Sequence, residues 1–264
     1  MPSPELRALV TGASSGIGAA FAKGLRAHGE RLVLVARRAD RLEALAAELG
    51  GETVAATIPL DLVAAGAASR LESELNRRGL AVDTLVNNAG FGDTGLFHER
   101  PLERALGMID LNVRATVELT RRFLPAMVGR RRGAVVNVVS TSAFQPVPFL
   151  NVYAASKAFV LSFTESLATE LAGTGVRIQA LCPGLTATEF QAVAHTDRVA
   201  FNRTRAMTPE KVVEASLRAL DRGRLTVIPG LDNWATAKVQ TFVPRSVVRR
   251  VAGELFRPRR ATRD

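Results

Sequence analysis

Residues 11–18 read Thr-Gly-Ala-Ser-Ser-Gly-Ile-Gly, and this stretch decides the fold. A short apolar run, Ala8–Thr11, precedes it, and an amphipathic segment, Gly16–His28, follows. A glycine-rich turn between a strand and a helix lets a pyrophosphate approach the backbone. The helix N-terminus then offers free N–H groups and about half a positive charge. The spacing G-x-x-x-G-x-G differs from the more familiar G-x-G-x-x-G of dinucleotide sites. A purely structural turn is the plainer reading, and the strand before and helix after argue against it.

The same alternation continues outward from this turn. Leu32–Ala36, Thr53–Ile58, Thr84–Asn87, Ala134–Ser140, Val176–Cys182 and Leu225–Pro229 are short runs rich in Val, Leu and Ile. Such runs fit strands covered on both faces. Helical patterns lie between them at Ala39–Leu49, Ala64–Arg78, Leu102–Val128, Val152–Leu171 and Pro209–Asp221. Gly29, Gly79, Gly129 and Gly173 stand near the expected helix ends, where glycine relieves a left-handed residue. The predicted fold is therefore α/β, a single doubly wound parallel sheet with helices on both faces. No linker or internal repeat interrupts the pattern, so residues 1–264 are expected to form one domain with its core at about 6–230. Residues 231–257 read as an amphipathic C-terminal extension, packed on the domain or on a partner subunit. Arg257 to Asp264 are expected to be disordered.

Composition narrows the class. Apolar residues make up 47% and charged residues 23% of the 264 residues, an ordinary globular balance. No apolar run is long enough to span a membrane, and the N-terminus lacks the pattern of a secretory signal. Cys182 is the one cysteine, which excludes an internal disulfide and fits a reducing cytoplasm. The formal charge is +10, nearly all from arginine, with denser patches at Arg130–Arg132 and from Arg245 to Arg263. A solvated Arg-rich surface accounts for it. An anionic cofactor or a lipid-like substrate near a surface is the sharper alternative, with weak association of the basic tail with a membrane surface behind it. No DNA- or RNA-binding motif accompanies the charge, and no metal-ligand cluster is apparent.

The second predicted strand ends at Arg37-Arg38. In dinucleotide folds an acidic residue about twenty positions beyond the glycine turn bonds the ribose 2′-hydroxyl. Arg37 lies nineteen residues after Gly18, and neither Asp nor Glu stands there. A carboxylate would repel a 2′-phosphate, whereas a guanidinium grips one through two parallel hydrogen bonds. The pattern points to NADP(H) over NAD(H), with Arg37 the first candidate and Arg38 its neighbour. Two ordinary solvated arginines are the competing explanation. Asp61-Leu62 and Asn88-Ala89-Gly90 follow the third and fourth strands, at the strand ends where open α/β sheets bind ligands.

Tyr153 and Lys157 stand four residues apart at the start of a helical segment and so share a face. A phenol titrates near pH ~10, and a neighbouring ammonium is expected to lower that value. The tyrosine can then give a proton to a developing alkoxide or take one from an alcohol. Ser140 lies thirteen residues earlier, where its hydroxyl can hold the substrate oxygen, with Thr141 and Ser142 as near rivals. A Ser-His-Asp hydrolase lacks its nucleophile elbow here, and His28, His98 and His195 lack matching context. Cys182 reads as buried packing.

Taken in order, TGASSGIG (11–18), NNAG (87–90), Ser140 ahead of YAASK (153–157), and PGLTATEF (183–190) resemble the short-chain dehydrogenase/reductase family. The resemblance implies a Rossmann-type fold with a seven-stranded sheet. It implies that Gly12, Gly16 and Gly18 line the pyrophosphate, with Ser14, Ser15 and Ile17 in the same turn. Asp61 would meet the adenine, with Leu62 beside it. Asn88 would contact the ribose region, next to Ala89 and Gly90. Lys157 would also bind the nicotinamide ribose. Pro183, Gly184, Thr186 and Thr188 match the segment beside the carboxamide. Asn112, in LNVRA, resembles the fourth catalytic residue, which holds a water in a proton relay. Many members have glycine three residues later, where this chain has Ala115. Members are commonly homodimers or homotetramers, built through the helices at about 102–128 and 152–172.

The expected function is therefore an NADPH-dependent oxidoreductase that interconverts a carbonyl and an alcohol. An NADP(H)-binding sensor or scaffold without turnover is the alternative, although such proteins usually lose the tyrosine or the lysine. A nucleotide-sugar epimerase would need a longer chain and another glycine turn. Substrate identity is open. The segment Gly184 to Met207 mixes Phe190, Val193, Val199, Phe201 and Met207 with His195, Arg198, Arg203 and Arg205. That mixture suits an apolar substrate with an acidic group, and a lid without charge preference equally.

Overall fold

Each of the seven apolar runs contains a strand in the computed structural model, which describes residues 7–196, 206–240 and 242–257. The strands are β1 (Arg7–Thr11), β2 (Arg31–Ala36), β3 (Val54–Pro59), β4 (Thr84–Asn87), β5 (Gly133–Val138), β6 (Val176–Leu181) and β7 (Thr226–Val227). They form one parallel sheet in the order β3-β2-β1-β4-β5-β6-β7. Side chains alternate between sheet faces along a strand, and both faces are apolar here. Ala8 and Val10 enter one core with Phe21, Leu25 and Leu217, whereas Leu9 enters the other with Leu71, Leu119 and Met127. This two-sided burial is why the strands read as continuous apolar runs.

One face carries α1 (Gly16–Ala27), α2 (Ala39–Leu49) and α8 (Pro209–Asp221). Helices α1 and α8 touch closely: a Cβ on Gly24 would stand 2.9 Å from Leu217 Cδ1. The other face carries α3 (Ala67–Arg77), α5 (Ala115–Gly129) and α6 (Asn151–Glu170). The strand order reverses between β1 and β4, which opens a crevice at the carboxyl ends of the strands.

Three expectations need correction. The long helix expected over 102–128 is α4 (Leu102–Ile109), a π-helical turn at Asp110–Arg114, and then α5. The extra residue in that turn carries Asn112 inward, to 1% exposure. The fifth strand stops at Val138, and Ser140 is instead the N-cap of a 3₁₀ turn at Thr141–Phe144. The left-handed residue after α5 is Arg131 (φ 52°), not Gly129, whereas Gly29, Gly79 and Gly173 do take positive φ.

The C-terminal extension forms α9 (Leu231–Val239) and α10 (Arg245–Leu255). It packs on this chain's own fold: Val248, Ala252 and Phe256 are buried, and Asn233 lies against Gly184. Among the described residues no helix is long and apolar enough to cross a membrane. The tail beyond Arg257, and Arg198, Val199, Phe201, Arg203 and Arg205, lie outside the described residues.

Candidate active site

A continuous cleft of about 450 Å³ runs along the crevice at the strand ends. At one end lies the turn between β1 and α1. Gly12 and Gly16 have φ of 65° and 55°, a region L-residues rarely adopt. A Cβ on Gly18 would come within 2.2 Å of the Gly12 carbonyl oxygen, so only glycine closes this turn. Ser15, the N-cap of α1, makes no side-chain capping bond, which leaves first-turn N–H groups to face the cleft. Thr11 ties the turn to β4. Its hydroxyl donates to Val86 O at 3.1 Å and accepts from the Asn88 and Ala89 N–H groups, each at 3.0 Å. The Asn88 amide donates back to Thr11 O at 2.9 Å.

Gly12, Ser14, Ser15, Gly16, Ile17, Arg37, Arg38, Asp61, Leu62, Asn88, Ala89 and Gly90 all line this half of the cleft. Gly18 sits beneath the turn. Arg38, rather than Arg37, is engaged: it donates to Ser14 Oγ at 3.3 Å, to Ser15 Oγ at 3.1 Å and to Glu189 Oε2 at 2.9 Å. Arg41 holds the other oxygen of Glu189 at 3.0 Å. The two arginines keep that carboxyl below its usual range. No carboxylate stands at the end of β2, and the set suits a dinucleotide with a 2′-phosphate.

The middle of the cleft holds Ser140, Tyr153 and Lys157, all buried. The Ser140 side chain faces Tyr153 and favours its phenolate. Ser140 Oγ also accepts from the Ser142 N–H at 3.1 Å, which fixes the hydroxyl and separates Ser140 from its rivals. Lys157 Nζ lies 5.8 Å from the centre of the Tyr153 ring and donates to Val138 O at 2.8 Å. The lowered phenol expected from the sequence is not found in the protein itself. Burial pushes Tyr153 up to about 12 despite the neighbouring Ser140 hydroxyl, and burial brings Lys157 down to about 8. Desolvation disfavours the charged form of each.

Asn112 stands behind this group. Its side chain accepts from Phe91 N–H at 3.1 Å and donates to Phe91 O and Ser156 Oγ, each at 3.0 Å. Ser156 in turn donates to Tyr153 O at 2.7 Å. The Asn112 side chain is therefore an anchor between the β4 loop and α6. Ser156 went unread in the sequence, although it lies inside YAASK. Gly90 fills the gap, where a Cβ would meet Asn112 Oδ1 at 2.8 Å and Lys157 Nζ at 3.4 Å.

Pro183, Gly184, Thr186 and Thr188 follow β6 and line the cleft opposite the glycine turn, with Thr188 against Gly16. Asn233 and Phe256 from the extension also line it, and neither carried a sequence signal. Cys182 is fully buried, its thiol pushed up to about 12 by burial, as expected of packing rather than a nucleophile. His98 is exposed beside Glu99, away from the cleft lining. His195 Nδ1 lies 3.3 Å from Asp93 Oδ1.

Residues 7–199 match the short chain dehydrogenase family model. The chain belongs to this family. The NADP-dependent 3-hydroxy acid dehydrogenase of Salmonella typhi is 39% identical to this short-chain dehydrogenase over 215 residues, 78% of this chain and 86% of the relative. The sulfoacetaldehyde reductase of Chromohalobacter salexigens is 36% identical, covering 86% of this chain and 94% of its own. Among solved structures, a short-chain dehydrogenase from Sphingobium yanoikuyae in complex with NADPH superposes with a TM-score of 0.80 at 32% identity. That match spans 98% of this chain and 100% of the other. The family and its seven-stranded parallel sheet agree with the sequence expectation, and the chain is an oxidoreductase of this class.

Proposed function

We propose that this short-chain dehydrogenase uses NADPH to reduce the carbonyl group of an apolar small-molecule substrate, and runs the reverse oxidation with NADP⁺. Ser140, Tyr153 and Lys157, buried together in the switch-point cleft with the Lys157 ammonium 5.8 Å from the Tyr153 ring centre, carry this reading. The named NADP dependence of the Salmonella relative and the NADPH complex from Sphingobium support the cofactor.

The residues present fit that cofactor. The uncapped start of α1 and the glycine turn suit the pyrophosphate. Arg37 and Arg38 stand where a 2′-phosphate would lie. Asp61 and Leu62 suit the adenine, Asn88, Ala89 and Gly90 the ribose, and Pro183, Gly184, Thr186 and Thr188 the carboxamide. Bound there, the reduced cofactor supplies hydride to the carbonyl carbon. Ser140 donates a hydrogen bond to the carbonyl oxygen, and Tyr153 transfers its phenolic proton to that oxygen as the alcohol forms. The Lys157 ammonium stabilises the phenolate left behind, whose proton affinity is raised by burial and makes that help necessary. With its side chain spent on Phe91 and Ser156, Asn112 would hold the water that returns the proton through its main-chain carbonyl in the π turn.

The oligomer is a homodimer or homotetramer. Leu102, Leu106 and Ile109 on α4 and Phe159 on α6 are large, exposed and apolar on two packed helices. The single cysteine suits the cytoplasm.

Tyr153→Phe tests the mechanism. NADPH consumption with a panel of aldehydes and ketones should fall at least ~10³-fold, within the range of general acid–base catalysis. Fluorescence titration should show NADPH affinity unchanged. Retained turnover in the variant would remove Tyr153 as the proton carrier. A wild-type protein that binds NADPH and turns over nothing would favour a sensor.

A further inference from the structure

We infer that the C-terminal extension sets substrate specificity: Phe256 and Gln240 select a neutral, bulky apolar carbonyl compound that carries a second, uncharged polar group. This rests on the reductase reading above.

The extension lies beyond residues 7–199, the part matched by the family model, yet it reaches the reacting centre. Phe256, the C-cap of α10, is 6% exposed and joins the apolar cluster that holds Tyr153, Met108, Val147 and Leu150. Phe190 contributes from the other side, its ring centre 5.2 Å from that of Tyr153. The catalytic phenol is thus walled by aromatic and aliphatic groups from four separate parts of the chain. Burial of such a surface by a ligand favours an apolar body.

Among the described residues, the cations near this wall are committed elsewhere. Among the described lining residues the cations are Arg37, Arg38 and Lys157, which stand at the glycine turn and at the catalytic tyrosine. Arg100 and Arg104, outside the cleft lining, are turned onto the buried carboxylate of Asp93. Burial opposes ionisation of Asp93, but Arg100, Arg104 and His195 outweigh it and hold the carboxyl below its usual range. Those cations answer an internal anion, so they offer little to a carboxylate or sulfonate on a substrate.

One side chain of the cleft lining has an unanswered polar atom. Gln240, the C-cap of α9, lines the cleft, and its side-chain Oε1 is buried without a hydrogen-bond partner. A buried acceptor left alone is costly, and a ligand donor such as a hydroxyl removes that cost. Phe256 therefore supplies the apolar wall and Gln240 a neutral polar contact.

The experiment compares kcat/KM for matched ketones with NADPH: neutral aryl-alkyl and alicyclic ketones, the same ketones bearing a hydroxyl, and carboxylated counterparts. The neutral compounds should exceed their carboxylated counterparts at least ~10-fold, the scale of burying part of an aromatic side chain. At least one hydroxylated ketone should exceed its parent. Phe256→Ala should raise KM for the apolar ketones roughly 10-fold with kcat little changed. Phe256→Leu, which keeps most of the packing, should give an intermediate KM. Gln240→Leu should abolish the gain from the hydroxyl. Preference for the carboxylated compounds, or KM values that ignore both residues, would overturn the specificity assignment and leave the reductase standing. No turnover of any carbonyl would overturn the reductase reading itself.

Discussion

Arg38 shows how much one side chain can decide. Its guanidinium meets two hydroxyls of the glycine turn and the carboxylate of Glu189, with Arg41 on the far oxygen. A 2′-phosphate would have to share these arginines with Glu189. Glu189→Gln should therefore tighten NADPH by up to about 1 kcal/mol, the size of an exposed ion pair, and leave NADH unchanged. Fluorescence titration of both dinucleotides reads this directly, and equal shifts for the two would separate Glu189 from phosphate selection. The sequence made the arginine pair legible through the missing acid after β2. It gave no sign of Glu189, which arrives from 151 residues away. Lys157 carries a second consequence. Its ammonium loses its proton near 8 instead of the ordinary lysine range, because burial disfavours the charge. Carbonyl reduction needs that charge to hold the phenolate, so the rate should fall as pH rises through about 8. Initial rates at saturating NADPH on both sides of that value test it, and a level profile would remove the charge from the mechanism. The direction of the Tyr153 shift was not legible, because it depends on burial depth and the sequence shows only proximity.

Among elements, the π turn at Asp110–Arg114 is where pattern reading failed. Hydrophobic periodicity runs smoothly across Leu102–Val128, and one extra residue in a turn leaves no mark on it. Yet this turn buries Asn112 and lets it hold the β4 loop against α6. Asn112 was reached through family resemblance, and its anchoring bonds were not. A second buried network was also unread. Asn87 donates to Thr120 and Asn137, and Asn137 donates to Thr164, which joins β4, β5, α5 and α6. Polar residues within otherwise apolar strands look like ends or interruptions until their partners are seen. Asn137→Ala should cost about 1–3 kcal/mol, because it leaves buried partners unsatisfied. Urea unfolding would measure the loss. A change below that range would mean the pocket rehydrates.

For the molecule as a whole, the sheet and its order follow from strand–helix alternation, and seven apolar runs became seven strands. The extension was legible only as amphipathic, since its partner surface is made by residues 100 or so positions earlier. The exposed ridge on α4 and α6 carries the proposed assembly. Leu106→Arg places a charge in that ridge and should shift the protein toward monomer in light scattering coupled to size exclusion. An unaltered mass would move the interface elsewhere. The composition adds one consequence. Tyr153 is the only tyrosine in 264 residues, and it sits at the reacting centre. Phenolate absorbance in the ultraviolet therefore comes from a single group. The proposed acid carries its own optical reporter: a difference spectrum taken as ligands enter the cleft reads its ionisation with no label and no second tyrosine to confuse it.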